Sequence, residues 1–286
     1  MSKLTEKTHW DRVHSREQRD LQSATESIGL GLRTKEAVKR LLGNDLLDRM
    51  TSYGDYLLWD VIFPTYLPPM QGAKVVEVGS APGEFTAKFG KKFKCVPYGI
   101  EYSEVGVEVN RRVFSNDGFD PDNVIHADFF SDEFANRYKG AFDAVFSRGF
   151  IEHFDDVASV IQRHVNLLKP GGYLIVTIPN LRGFNYGLLW LLDKEAIRRH
   201  NLKIMRKSVY QSLFERPDLQ RVVCDYLEPF SFYILTAEPR RIKKAALMGL
   251  YRLQPALNLM FRTAFGPRDA KSSLFSPGLL YIGKKL

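Results

Sequence analysis

VVEVGSAPGEF, residues 75–85, is a β-branched run that carries Glu77 near its end and then breaks into glycine, alanine and proline. The run reads as a buried strand. The loop after it, nearly free of side chains, reads as the first strand-to-helix turn of an open parallel sheet, where ligands bind. A dinucleotide site would place GxGxxG there, so that main-chain N–H groups and a helix N-terminus face a pyrophosphate. This chain offers Gly79, Ala81 and Gly83, with Ser80 and Pro82 between them, and Glu84 follows at once. A carboxylate at the helix start complements the helix dipole itself and opposes a phosphate. The loop therefore suits a ligand without phosphates that approaches the backbone closely.

Working outward, KVVEVG, CVPYGIEY, NVIHAD, FDAVFS and GYLIVTIP between residues 74 and 180 read as buried strands. Helical segments near 84–92, 104–115, 131–139 and 155–168 separate them. Ser131 can cap the third helix and Gly140 suits its exit. The fourth presents Val157, Val160, Ile161, Val165 and Leu168 on one face and stops at Lys169-Pro170-Gly171-Gly172. This alternation predicts an α/β fold with a doubly wound, mostly parallel sheet.

Residues 1–70 read as an N-terminal arm and helical cover: a charged arm over the first 21, helical near Trp10, then Leu41, Leu42, Leu46 and Leu47 at helix spacing and a stop at Pro68-Pro69. The main domain spans 71–286. Residues 181–216, aromatic and leucine-rich and then basic, follow the fifth strand as inserted helices, either a lid over a crevice or a surface cover on the sheet. RVVCDYL and FSFYIL read as later strand pieces. Residues 237–265 form a basic amphipathic helical segment broken at Pro255, and LLYIGKK closes the chain as a strand.

The 286 residues are 44% hydrophobic with a formal charge of +8, enough for one large core and compatible with an anionic partner. Cys95 and Cys224 are too few for a disulfide framework and form no CxxC pattern, so reduced thiols and a cytoplasmic setting are expected. The polar N-terminus lacks the apolar core of a secretory signal. The longest apolar run, near Tyr186–Leu192, falls well short of the ~20 residues that span a bilayer.

Glu101 ends the second strand, where a carboxylate can accept both hydroxyl hydrogens of a ribose. Asp128 ends the third, placed to accept from an exocyclic amine while Phe129 or Tyr102 lies against a purine face. Ribose, adenine and a cationic tail fit this set. Here the chain resembles the class I S-adenosylmethionine-dependent methyltransferases of the small-molecule branch, because several elements occur in order. VVEVGSAPG at 75–83 looks like that family's first motif, GIEYS at 99–103 like its ribose-binding motif and HADFF at 126–130 like its adenine-binding motif. FDAVFSRGFIEHFDD at 142–156 and LLKPGGYLIVTIPN at 167–180 resemble the fourth- and fifth-strand motifs.

The resemblance implies a Rossmann-like sheet of seven strands with the last antiparallel, methyl transfer as the reaction and S-adenosyl-L-methionine as cofactor. Carried over residue by residue, Gly79 and Gly83 would let the backbone approach the cofactor. Glu77 would order the loop beside the methionine amino group, Glu101 would bind ribose, and Asp128 with Phe129 and Tyr102 would hold adenine. Ser80, Ala81 and Ser147 complete the implied cofactor set. Ala81 replaces a commoner glycine, a change that costs little unless φ is positive there.

A hydroxyl acceptor must lose its proton, which a histidine can take. His153, in IEHF beyond the fourth strand, is the first base candidate and His200, in RRHNL, the second. Some related O-methyltransferases bind a metal through an acidic residue three positions before this Glu-His pair. Gly149 stands there, so no metal is expected. Ser147-Arg148-Gly149-Phe150 lacks the Pro-Pro-aromatic pattern of DNA amino-methylating enzymes, and Arg148 stands where RNA ribose methyltransferases, whose loop GSAPG resembles, need an acidic residue. Nucleic acid is thereby disfavoured. Between 240 and 262, Ile242, Leu250, Leu253, Leu257 and Phe261 with Arg241, Lys243, Lys244 and Arg252 either meet an anionic membrane peripherally or form a packed helix with a solvated basic face. The expected acceptor is an oxygen or nitrogen of a small molecule, a sugar or a glycolipid-type intermediate. An RNA or protein methyltransferase and a non-catalytic cofactor-binding module are the alternatives.

Overall fold

A computed structural model describes residues 11, 13 and 15, 44–234 and 241–286. Its centre is a seven-stranded sheet built from β1 (Lys74–Val78), β2 (Val96–Glu101), β3 (Val124–His126), β4 (Phe142–Arg148), β5 (Leu168–Pro179), β6 (Leu219–Leu227) and β7 (Gly278–Lys285), in the order β3-β2-β1-β4-β5-β7-β6. β1 to β5 pair in parallel, and β7 runs antiparallel to both β5 and β6. Val75, Val76 and Val78 are all buried, as a central parallel strand covered on both faces requires. The order reverses between β1 and β4, and the carboxyl ends of those strands open the crevice where such sheets bind ligands.

Helices α1 (Asn44–Met50), α2 (Tyr53–Tyr56), a π-helical run Leu57–Ile62 and α3 (Phe63–Tyr66) precede the sheet. Trp59 and Phe63 cover one face together with Phe85 and Phe89 of α4 (Glu84–Phe93), closing on Phe146 of β4 and Ile282 of β7. Phe89 and Phe146 lie with ring centroids 4.6 Å apart at 65°, an edge-on packing that suits aromatic quadrupoles. On the other face, Val157, Val160, Ile161 and Val165 of α7 (Val157–Leu167) meet Val145, Leu174 and Val176. Ser103 caps α5 (Glu104–Asn116) and Ser131 caps α6 (Asp132–Arg137), each accepting the N–H three residues on. Leu46 and Leu47 are half-buried, whereas Leu41, Leu42 and most of the arm lie outside the described residues. Asp11, Val13 and Ser15 are helical, as the reading near Trp10 expects.

Three sequence expectations change. β5 begins at Leu168, so the Lys-Pro-Gly-Gly stretch sits within the strand as a bulge. Leu168 pairs with Phe142 and Tyr173 with Ala144, and Lys169–Gly172 loop out between them with Gly171 at φ +78°. Over its described residues, 230–234, FSFYIL is not a strand: Phe232–Ile234 form a 3₁₀ turn, because Gln254 Oε1 and Ser231 Oγ accept the N–H groups of Phe232 and Tyr233 that a ladder would use, and Leu235 lies outside the described residues. Pro255 does not break α11, which runs from Arg241 to Phe265. Phe261 of α11 is buried against Tyr53 (centroids 6.0 Å apart), Leu250 and Leu257 are half-buried and Leu253 is exposed. These four residues therefore do not form one outward apolar face. The side chains of Arg241, Ile242, Lys243 and Lys244 lie outside the described residues. Among the described residues no helix is long and apolar enough to cross a membrane.

Glu228, just after β6, is buried beside Gly54 of the cover, and its N–H donates to Asp269 Oδ2 at 3.1 Å. Burial, with the charges of Asp269 and Asp55, pushes its carboxyl from 4.5 up to about 8. Between those values the native state keeps a proton that the unfolded chain has lost, so stability falls as pH rises through this window. Glu228→Gln should match the wild type in thermal unfolding at pH 4.5 and exceed it at pH 8.5 by on the order of 2 kcal/mol. Equal melting temperatures at both pH values would show that Glu228 ionises normally.

Candidate active site

The loop after β1 is held from below. Gly79 N and Ser80 N both donate to Ile100 O of β2, at 2.9 and 3.2 Å. Gly79 has φ +69°, and a Cβ there would meet Phe150 Cδ2 at 2.9 Å. Gly83 caps α4 at φ +97° and lies against Asn110, whose Nδ2 donates to Ser80 Oγ. Ala81 has no positive φ, so the alanine fits the loop without strain.

Above this loop opens a cleft of about 940 Å³, counting the space open to solvent. Glu77, Gly79, Ala81, Glu101, Tyr102, Asp128 and Phe129 all line it. Ser80, Gly83 and Ser147 do not: the first two build the underside of the loop, and Ser147 is buried within β4.

Glu101 is 3% exposed, and its Oε1 accepts the N–H groups of Tyr102 and Ser103 at 2.9 and 2.8 Å. That anchoring fixes the orientation of the carboxylate. Ser103 Oγ in turn donates to Asp11 Oδ1 at 2.7 Å, so the N-terminal arm reaches this end of the cleft. Asp128 is exposed and accepts the Phe130 N–H at 2.9 Å. Phe129 is buried among Phe130, Phe134 and Phe150 rather than standing open as a flat wall.

Glu77 is already engaged. It accepts from Thr86 Oγ1 and, at 2.9 Å, from Arg148 Nε, while the Arg148 guanidinium lies 3.8 Å from the Phe85 ring centroid. Arg148, which in the sequence stands where RNA ribose methyltransferases need an acidic residue, lines the cleft with Phe130, Phe150 and Phe154. β4 follows β1 in register, Val78 opposite Ser147, which brings residue 148 to the strand end beside Glu77.

A second cleft of about 1050 Å³, likewise counting the space open to solvent, adjoins the first, sharing Gly149 and His153. Its walls are mainly apolar, among them Ile178, Leu181, Leu227, Ile234 and Leu279. At one end stand Glu152, His153 and His200, with one ligating atom of each within 4.8 Å of the others. The two imidazole centroids are 4.5 Å apart. The two base candidates, 47 positions apart in sequence, thus meet because α8 (Phe184–Leu192) and α9 (Lys194–Arg198) carry the chain from β5 back over the crevice. His153 Nδ1 donates to Arg199 O at 3.0 Å and His200 Nδ1 to Ala196 O at 2.5 Å. Glu152 is fully buried, neither of its carboxyl oxygens has a hydrogen-bond partner among the described residues, and burial pushes its pKa up to about 8. Burial also lowers that of His200. The 181–216 segment therefore lines the crevice through Leu181, Ala196 and His200 and covers the sheet through Tyr210 of α10 (Lys207–Ser212), whose hydroxyl donates to Val176 O at 2.9 Å.

A family described as methyltransferase domain matches residues 50–224. The ubiquinone biosynthesis O-methyltransferase of Thiobacillus denitrificans is 29% identical over 142 residues, 50% of this chain and 57% of the relative. The mitochondrial ubiquinone biosynthesis O-methyltransferase of Homo sapiens is 28% identical over 224 residues, 74% of this chain and 58% of the relative. The chain thus spans just over half the length of these two relatives. Geranyl diphosphate C-methyltransferase from Streptomyces coelicolor, solved with S-adenosyl-L-homocysteine, shares the fold, with a TM-score of 0.53 at 14% identity over 82% of this chain and 78% of that one.

Proposed function

The chain belongs to the methyltransferase domain family, and we propose that it transfers the methyl group of S-adenosylmethionine to an oxygen or nitrogen of a small, largely apolar molecule held in the second cleft. The observation that carries this reading is Glu101, a buried carboxylate fixed by two main-chain N–H groups beside a loop whose Gly79 leaves no room for a side chain. Such a carboxylate accepts paired ribose hydroxyls, and the bare loop admits a cofactor against the backbone. Asp128 accepts from the adenine amine, with Tyr102 and Phe150 along the ring. Glu77 and Arg148 suit the two ends of an amino acid, the carboxylate for its ammonium and the guanidinium for its carboxylate. The sulfonium supplies an electrophilic methyl carbon. What remains for this chain is to align the acceptor, exclude water and remove a proton.

Glu152, His153 and His200 form the polar end of the second cleft and receive the acceptor's reacting group there. Oxygen is the better fit, since a hydroxyl needs the proton acceptor that this end offers, and the curated relatives carry O-methyltransferase names. The apolar walls suit an aromatic or lipid-linked acceptor better than a free sugar. α8, following the cleft-lining Leu181, exposes Phe184, Trp190 and Leu191, a surface consistent with an acceptor presented by lipid. Incubating the protein with methyl-labelled cofactor and a fractionated extract should put label in the solvent-extractable fraction. Label confined to RNA or protein would reject the small-molecule reading.

His153→Ala is expected to lower kcat by about 10²-fold, the usual scale of proton-transfer assistance. Cofactor affinity should stay within about threefold, because the polar cofactor contacts are assigned to Glu77, Glu101, Asp128 and Arg148 and not to His153. An unaltered kcat would assign His153 to packing.

A further inference from the structure

We infer that Glu152, His153 and His200 form a binding site for a divalent transition-metal ion of the zinc type, opening on the second cleft. In sequence, Glu152 and His153 lack the acidic residue three positions before the Glu-His pair through which some related O-methyltransferases bind a metal, since Gly149 stands there. The fold supplies the third ligand: His200 arrives from beyond α9, and one ligating atom of each residue lies within 4.8 Å of the other two. Around a tetrahedral zinc with bonds of about 2.1 Å the donor atoms stand about 3.4 Å apart. Closing on an ion therefore takes side-chain shifts of about an ångström, not a rearrangement of the backbone.

Two further observations point to a cation rather than to a packed polar cluster. Both imidazoles donate their Nδ1 hydrogen to a main-chain carbonyl, Arg199 O and Ala196 O. A carbonyl only accepts, so each neutral ring is the tautomer whose Nε2 keeps the lone pair, with the outer hydrogen bond at Nδ1 that metal-bound histidines usually make. Glu152 is 0% exposed with both carboxyl oxygens lacking a hydrogen-bond partner among the described residues, although it lines the cleft. A buried carboxyl without a partner is costly, and an ion bound there would supply one.

Two imidazoles and one carboxylate select zinc, cobalt or iron(II) over magnesium or calcium, which prefer all-oxygen shells. Three protein ligands leave coordination positions facing the cleft. An acceptor oxygen bound there would lose its proton more readily. The inference stands without the methyl-transfer reading, since ion binding is measured with neither cofactor nor acceptor.

The test is calorimetric titration of zinc into the chelator-stripped full chain, with cobalt(II) in parallel and its visible absorption recorded. The expected result is one ion per chain and cobalt bands of a four- or five-coordinate site, unchanged by excess magnesium. His200→Ala and Glu152→Gln should each weaken zinc binding by about 10²-fold or more, with circular dichroism like the wild type, while His126→Gln leaves it unchanged. Absence of zinc binding in the wild type, or wild-type affinity in either folded variant, would overturn the assignment.

Discussion

Replacing Glu101 by alanine is expected to weaken S-adenosylmethionine binding by about 10²–10³-fold. The carboxylate is buried at the end of β2, and Oε1 is fixed by the Tyr102 and Ser103 N–H groups. Two ribose hydroxyls donating to such a group form charge-assisted hydrogen bonds worth roughly 1.5–3 kcal/mol each. Their loss, partly offset by water entering the site, comes to about 3–4 kcal/mol, which is the stated factor. Glu101→Gln should fall between, since the amide keeps an acceptor but turns a donor toward one hydroxyl. Calorimetry would read the affinities, and thermal unfolding would separate them from any loosening of the chain after β2. An affinity within about threefold of the wild type in both variants would remove Glu101 from the binding site.

Gly79→Val should abolish measurable cofactor binding through a different cause. The residue sits at φ +69°, where a β-branched side chain is strained by about 1–3 kcal/mol, and its Cβ would meet Phe150 Cδ2 at 2.9 Å. Either the loop turns away from Ile100 O or Phe150 is pushed into the cleft, and both outcomes close the backbone approach. Gly79 lies just past β1, so strand content measured by circular dichroism should persist. A second substitution, Phe150→Ala, relieves the clash but not the strain and should restore only part of the affinity. Full affinity in Gly79→Val would mean that the cofactor does not approach this loop.

The parts of the fold and site that were legible are those coded by contiguous residues. A valine-rich strand, a loop of small residues and a carboxylate at the end of each of three successive strands can be read in order because a parallel sheet brings consecutive strand ends to one edge. The parts not legible depend on register and long connections. That Arg148 reaches Glu77 follows from β4 pairing with β1, which a one-residue slip would undo. That His200 meets Glu152 and His153 depends on where α9 sets down after β5. The aromatic run FSFYIL has strand composition, but its N–H groups are taken by Ser231 and Gln254, and no local pattern announces a partner some twenty residues ahead. Leu257 and Phe261 look like an interfacial face of an isolated helix, and only packing against Leu57 and Tyr53 shows that they are covered.

The most direct test is calorimetric titration of the wild-type chain with S-adenosylhomocysteine, the demethylated form of the proposed methyl donor. One site per chain with a Kd of roughly 1–100 μM, displaced by S-adenosylmethionine, is the predicted result. No binding at about 1 mM ligand by a chain that unfolds cooperatively would contradict the account, because the Glu101 carboxylate and the bare Gly79 loop would then serve something else.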